Sequence, residues 1–160
     1  MNSTVENTDI LDCQLFSHQV FSDLRGDFSE IYKDSVLPKP IRQINYSNNF
    51  KNVFRGIHQT PYGKYVTCVS GKILDICVDL RVDSPTYLKV VIVKLSPDFM
   101  ESLYIPPNCG HGFYTVTDSV VIYAQEDLYS DDTNTNHNYK KFDIDLPQLD
   151  QAIISQKDSL

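Results

Sequence analysis

Three stretches of this 160-residue sequence hold side chains able to do proton chemistry. The first, "FRGIHQTPYGKYVTCVSGKILDICVDL", residues 54–80, sets His58 close before Lys64 and runs on into strand-like sequence that carries acids among aliphatic residues. An imidazole titrates near neutral pH, and an ammonium can stabilise an oxygen that gains negative charge, so the pair suits proton transfer. The second, "YIPPNCGHGFYTV", holds His111 between Gly110 and Gly112, where the missing side chains let other groups come close. In the third, "VVIYAQEDLY", strand alternation puts Val121, Tyr123 and Gln125 on one face. Each has a plainer reading when taken alone: His111 as a satisfied structural histidine, Tyr123 as a core tyrosine, and the first stretch as a core with a few paired polar groups.

The elements that must position these residues read as strands. β-Branched and aromatic residues alternate over residues 12–17, 28–33, 41–48, 52–58, 64–69, 72–81, 88–95, 101–105, 111–116 and 119–128. Turns at "RGD", "SG", "DSP", "SPD", "PPNCG" and "TDS" punctuate them. So many short strands predict an all-β sandwich or jelly-roll barrel in one domain over residues 1–160, with no internal repeat. Residues 130–138, "SDDTNTNHN", read as a mobile polar loop, and "LPQLDQAIISQKDSL" as a short C-terminal helix or a strap across the barrel.

Taking Ser70 and Gly71 as a two-residue hairpin turn places Lys64 opposite Cys77 and Cys68 opposite Ile73. Ile73, Asp75, Cys77 and Asp79 then share a face with Lys64 and Val66, while Leu74, Ile76, Val78 and Leu80 form the other. Composition favours solvent for the charged face, since charged residues are mostly exposed. The same register keeps Cys68 and Cys77 too far apart to bridge. With no CxxC pair and no export signal, Cys13, Cys68, Cys77 and Cys109 are all expected as reduced thiols in or near a core.

Composition excludes other classes. Fourteen basic against 21 acidic residues give a net charge of −7, against a general nucleic-acid surface. No apolar run is long enough to span a bilayer, and "MNSTVENTDI" lacks the basic and apolar regions of a secretory signal, so a cytoplasmic protein without membrane partners is expected.

In order along the chain, "DLRGDFSEIY", "RQINYSN", "VFRGIH", "GKYVTCVSGKILDICVDLRVDSPTY", "YIPPNCGHGF", "IYAQEDLY" and "ISQKD" resemble the dTDP-4-dehydrorhamnose 3,5-epimerase family, sugar-nucleotide epimerases on a cupin-type jelly roll. The resemblance implies His58 as general base, Lys64 as the group that stabilises the enolate oxygen, Tyr123 as proton donor and Asp158 as the carboxylate that orients the base. It implies Arg55 as a diphosphate ligand, Tyr129 as the aromatic stacked on the nucleotide base, and Gln43, Asn45, His111 and Lys157 as further ligand contacts. Arg25 and Glu30 match residues that reach the nucleotide from a partner subunit, which implies a homodimer with exchanged N-terminal strands. Hydrogens beside the carbonyl of a 4-keto sugar are weakly acidic, so inversion needs a base on one face, an acid on the other and a cation at the oxyanion. Hairpin register alone leaves Asp75 and Asp79 open as alternative orienters of His58.

The implied reaction inverts C3, C5 or both in a nucleotide-linked 4-keto-6-deoxy sugar without a cofactor. Related substrates, a GDP-linked 4-keto heptose or a CDP-linked sugar, keep the mechanism; a ketoisomerase shares the enolate, and a binding module would need none of the three reacting groups. No metal is expected, because many cupins hold theirs with an HxHxxxxE cluster, and here "HQT" follows His58 while His18 and His137 lie in unrelated segments. The chain departs from the family in the short link "QTPYGK", in Thr67 where an Arg is common, in Asn134 near a family glutamate, and in a shorter C-terminal segment.

Overall fold

Alternating β-branched and aromatic residues bury one side and satisfy their backbone groups in paired strands. The computed structural model describes residues 3–160, and among them it contains strands and short 3-10 turns but no α-helix. The strands are β1 (Ser3–Asn7), β2 (Gln14–His18), β3 (Phe21–Asp23), β4 (Gly26–Phe28), β5 (Gln43–Asn49), β6 (Val53–Gln59), β7 (Lys64–Ser70), β8 (Ile73–Val78), β9 (Val90–Leu95), β10 (Glu101–Ile105), β11 (Gly110–Thr115), β12 (Ser119–Gln125), β13 (Thr135–Asn136) and β14 (Ile153–Ile154). One sheet runs β1-β2-β10-β7-β12-β5; the other runs β13-β6-β11-β8-β9, with β14 alongside β6. Strands β3 and β4 form a separate hairpin.

The two sheets face each other over a core of Val66, Cys68, Leu103 and Val121 from the first and Ile73, Cys77, Leu95 and Phe113 from the second. Each outer face is covered in turn. Tyr32, Val36, Leu37 and Ile41 lie over Phe16, Tyr65, Tyr104 and Ala124 of the first sheet. The C-terminal segment spreads Tyr139, Phe142, Ile144, Leu146 and Leu149 over Phe54, Ile76 and Val78 of the second. It is therefore a strap of 3-10 turns with the short strand β14, and not a helix.

Four expectations are corrected. Strands β7 and β8 do not form a hairpin: β7 lies between β10 and β12 in one sheet and β8 between β11 and β9 in the other. Gly71, at φ +78°, turns the chain from sheet to sheet, and Thr117 and Ser119 take up the Lys72 N–H. Lys64 and Asp75 still share one interior, from opposite walls. The face expected in solvent is buried, with Asp75 at 0% and Lys64 at 6% exposure, because the second sheet packs over it. Residues 29–33 are not a strand; after β4 the chain becomes the covering segment, whose apolar residues at 32, 36, 37 and 41 do not alternate. Arg25 sits in the β3–β4 turn and Glu30 beyond β4, so they do not share a strand. All four cysteines are free and buried.

Strands β6 and β11 meet backbone to backbone at two glycines. Gly56 has φ +130°, and a Cβ there would stand 2.5 Å from Gly112 Cα and 2.8 Å from the His111 carbonyl oxygen. The ladder shifts register between His111 and Phe113 at this approach. Gly56→Ala combines backbone strain with that clash, and should lower unfolding stability by about 2 kcal/mol or more. Urea unfolding followed by circular dichroism measures it, and an unchanged midpoint would contradict the close approach.

Candidate active site

The β6–β11 ladder pairs His58 with His111, so two imidazoles stand side by side on the inner wall of the second sheet. Each is held by its own carboxylate: His58 Nε2 lies 2.7 Å from Asp158 Oδ1, and His111 Nε2 lies 2.7 Å from Asp75 Oδ1. Asp158 reaches His58 because the C-terminal strap returns to β6. Its N–H bonds to Ser155, and its Oδ2 accepts the Gly56 N–H at 3.2 Å. Burial works to raise the Asp158 carboxyl, but the bond and charge of His58 together with the Gly56 N–H outweigh it and hold the group below the usual carboxylate range.

Asp79 is spoken for elsewhere. Arg81 grips it through Nε and Nη2, both at 2.9 Å, and the Ser84 and Thr86 hydroxyls each donate at 2.6 Å, so it ties down the loop after β8. Of the three candidates for orienting His58, Asp158 makes the bond, Asp75 bonds His111 and Asp79 bonds neither.

Lys64 opens β7 and points between the sheets. Its Nζ lies 3.5 Å from the His58 carbonyl oxygen. Burial pushes its ammonium down to about 8, against the pull of the Asp75 charge. Burial likewise raises the Asp75 carboxyl, opposed by His111 and Lys64, and Asp75 Oδ2 has no hydrogen-bond partner among the described residues. Tyr123 approaches from the first sheet, facing the histidine wall. Burial raises its phenol, offset in part by Arg55, so it enters the cavity as a protonated donor. Arg55 is fixed by a 2.7 Å bond from its Nε to Asn49 Oδ1.

His58, Asp158, His111, Lys64, Tyr123 and Arg55 line one cavity of about 410 Å³ that also takes in Gln43, Asn45, Tyr129 and Lys157, while Asp75 lies behind His111 and outside the lining. Tyr129 donates to Asp131 Oδ1 at 2.6 Å, and Lys157 Nζ stands 3.6 Å from the same carboxylate, so both form an exposed lip. Ten of the twelve nominated residues therefore meet in one place. Arg25 and Glu30 do not; they lie on the exposed N-terminal hairpin and the segment after it, outside their own chain's cavity. Thr60, Tyr62, Phe113, Gln125, Asn134 and Ser155 also line it and were not nominated. Gln125 was within reach of sequence reasoning, because alternation puts it on the Tyr123 face; Tyr62 and Thr60 stand in the short link, which has no periodic signal. Thr67 faces away, bonded to Ser102 Oγ at 2.6 Å, so that departure from the family does not touch the cavity.

Comparison with known proteins gives the same answer as the residues. Residues 7–160 match the sequence profile of the dTDP-4-dehydrorhamnose 3,5-epimerase family. A protein of that name from Shigella flexneri is 34% identical over 167 aligned positions, covering 96% of this chain and 92% of the relative. Among solved structures, the Legionella pneumophila dTDP-6-deoxy-D-glucose-3,5-epimerase, in complex with dTDP-4-keto-L-rhamnose, superposes with a TM-score of 0.92 at 28% identity, covering 98% of this chain and 90% of that one. The Bacillus anthracis dTDP-4-dehydrorhamnose 3,5-epimerase, with TDP and PPi bound, has a TM-score of 0.92 at 30% identity and covers 99% and 97%.

The burial of Lys64 has a measurable consequence. NMR titration of its ε-methylene should show the ammonium losing its proton near pH 8, and Asp75→Asn should move that midpoint lower, because the carboxylate's charge favours the protonated form. A midpoint near that of a free lysine would place Lys64 in solvent and contradict the geometry.

Proposed function

The chain belongs to the dTDP-4-dehydrorhamnose 3,5-epimerase family, an isomerase family, and from that premise we propose that it inverts C5 and C3 of a dTDP-linked 4-keto-6-deoxy sugar through enolate intermediates, with one domain and no cofactor. The observation that carries the proposal is a carboxylate-held imidazole and a protonated phenol reaching one cavity from opposite sheets, with a buried lysine lining the same cavity.

In this reading His58 takes the proton from the carbon beside the keto group. Asp158 holds its Nε2, which leaves Nδ1 to accept and stabilises the imidazolium that forms. The electrons move into the carbonyl, and the Lys64 ammonium meets the oxygen that becomes an enolate; a cation in a dry site acts on that charge far more strongly than in water. Tyr123 delivers its proton to the opposite face of the carbon, which inverts it. The carbonyl re-forms, and exchange with solvent returns His58 and Tyr123 to their starting states. Arg55 and Lys157, at the cavity's more open side, suit the diphosphate, and Tyr129 offers an exposed ring to the base.

Two chains would complete the site. The β3–β4 hairpin presents Phe21, Leu24 and Phe28 to solvent and carries Arg25 at its turn, away from its own cavity. A homodimer in which each hairpin lies on its neighbour covers those apolar side chains and brings Arg25 and Glu30 toward a partner's nucleotide. No described helix is long and apolar enough to cross a membrane.

Turnover of the 4-keto substrate in D₂O, followed by NMR, tests the chemistry. The native protein should place deuterium at C3 and C5 with inversion, and His58→Asn should lose both by about 10²–10⁴-fold. Tyr123→Phe should stop inversion yet keep exchange, because His58 can return a solvent deuteron to the face it came from. Normal inversion in both variants would overturn these roles. Light scattering tests the assembly: the expected mass is that of two 18.3 kDa chains, and an active monomer would refute the shared site.

A further inference from the structure

One wall of the cavity is a run of side-chain amides with no freedom of orientation. The backbone N–H of Tyr129 can only donate, and Gln43 Oε1 accepts it at 2.9 Å. Gln43 must then offer its Nε2, which donates to Asn45 Oδ1 at 2.7 Å. Asn45 Nδ2 donates to Gln125 Oε1 at 3.1 Å and toward the Tyr123 carbonyl at 3.5 Å. Gln125 Nε2 donates to the Asp127 carbonyl at 2.9 Å and to the Tyr62 hydroxyl oxygen at 3.4 Å. Backbone groups at 129, 123 and 127, which have fixed polarity, decide which end of each amide is oxygen and which nitrogen.

The relay ends on Tyr62, and its direction has a consequence there. The phenolic oxygen already receives a hydrogen, so its own O–H must be given elsewhere, and no described residue accepts it. Tyr62 is 5% exposed and lines the cavity. Burial holds its phenol above the ordinary range, so the hydrogen stays in place at neutral pH. Its hydrogen is left to be given to whatever fills the cavity that Tyr62 lines.

We propose that Tyr62 is a positioning residue that donates a hydrogen bond to an anionic oxygen of the substrate's diphosphate bridge. The inference rests on the nucleotide-sugar reading above. Gln125, which holds the hydroxyl, lies on β12 two positions past Tyr123 and before Tyr129. With the sugar at Tyr123 and the base at Tyr129, the bridge crosses the stretch between them. The diphosphate oxygens only accept, the Tyr62 hydroxyl still has its hydrogen to give, and a hydrogen bond to a charged oxygen is about twice as strong as a neutral one. Tyr62 belongs to the short link "QTPYGK", so this contact comes from the segment in which the chain departs from its family.

Inorganic pyrophosphate is the probe, because it carries the bridge chemistry without base or sugar. By titration calorimetry the native protein should bind it, and Tyr62→Phe, with its thermal midpoint checked against the native one, should bind about tenfold or more weakly. Native-like pyrophosphate binding by Tyr62→Phe overturns the inference and leaves the epimerase reading intact; if turnover nonetheless falls, the hydroxyl serves the sugar. A native protein that ignores pyrophosphate while still exchanging deuterium also overturns this inference alone, and one that does neither overturns both. Should Tyr62→Phe fail to fold, 3-fluorotyrosine at this position replaces it: its more acidic hydroxyl donates more strongly, so pyrophosphate affinity should rise, and unchanged affinity overturns the proposal.

Discussion

The contact between Gly56 and Gly112 is the constraint on which the site depends. Any side chain at either position would push β6 and β11 apart, and the ladder accommodates their approach with a shift between His111 and Phe113. That approach sets His58 beside His111 and leaves the Gly56 N–H to bond Asp158. The carboxylate is thereby held at two points, by a backbone donor and by an imidazole. The strap that carries it also covers the apolar outer face of the second sheet, so the packing that stabilises the sheet fixes the geometry of the proposed base.

Electrostatics impose a second condition. Lys64, Asp75 and His111 share an interior from which water is largely excluded, and isolated charges there would cost several kcal/mol each. They are tolerable as a set. Burial alone drives the lysine toward its neutral form and the aspartate toward its acid, and each opposes the shift in the other. Among the described residues Asp75 Oδ2 takes no hydrogen bond, and Lys64 forms no ion pair within 4 Å. A buried cation whose charge is only partly compensated is well placed to meet negative charge that appears during a reaction.

Much of this was legible in the sequence because strand alternation and chemically unusual residue types survive translation into structure. His58, Lys64, His111 and Tyr123 were singled out and do share a cavity. The β7–β8 hairpin was misread for a physical reason: a tight turn between two alternating segments reads the same whether the strands pair or pass to facing sheets. The charged face of β8 was expected in water because composition carries no information about a second sheet lying over it. Asp158 could not be separated from Asp75 or Asp79 by spacing, since the choice depends on where a distant strap lands. The amide relay is invisible for a related reason: its members come from β5, β12 and the link before β7, and their polarity is set by backbone groups.

The way the sheets are wired also governs how the site comes into being. Strand β6 pairs with β11, β13 and β14, none of them its neighbour along the chain, and His58 and Asp158 are 100 residues apart. Closing such long loops costs chain entropy before the contacts that repay it exist, which makes topologies of this kind slow to form. No contiguous fragment shorter than the span from residue 58 to residue 158 contains both halves of the dyad. In the proposed reading the oriented base is complete only once the strap has docked, so a molecule that has collapsed and acquired most of its sheet structure still lacks it until then. Activity regained after denaturation would accordingly report completion of the fold, a stricter clock than any spectroscopic measure of strand content.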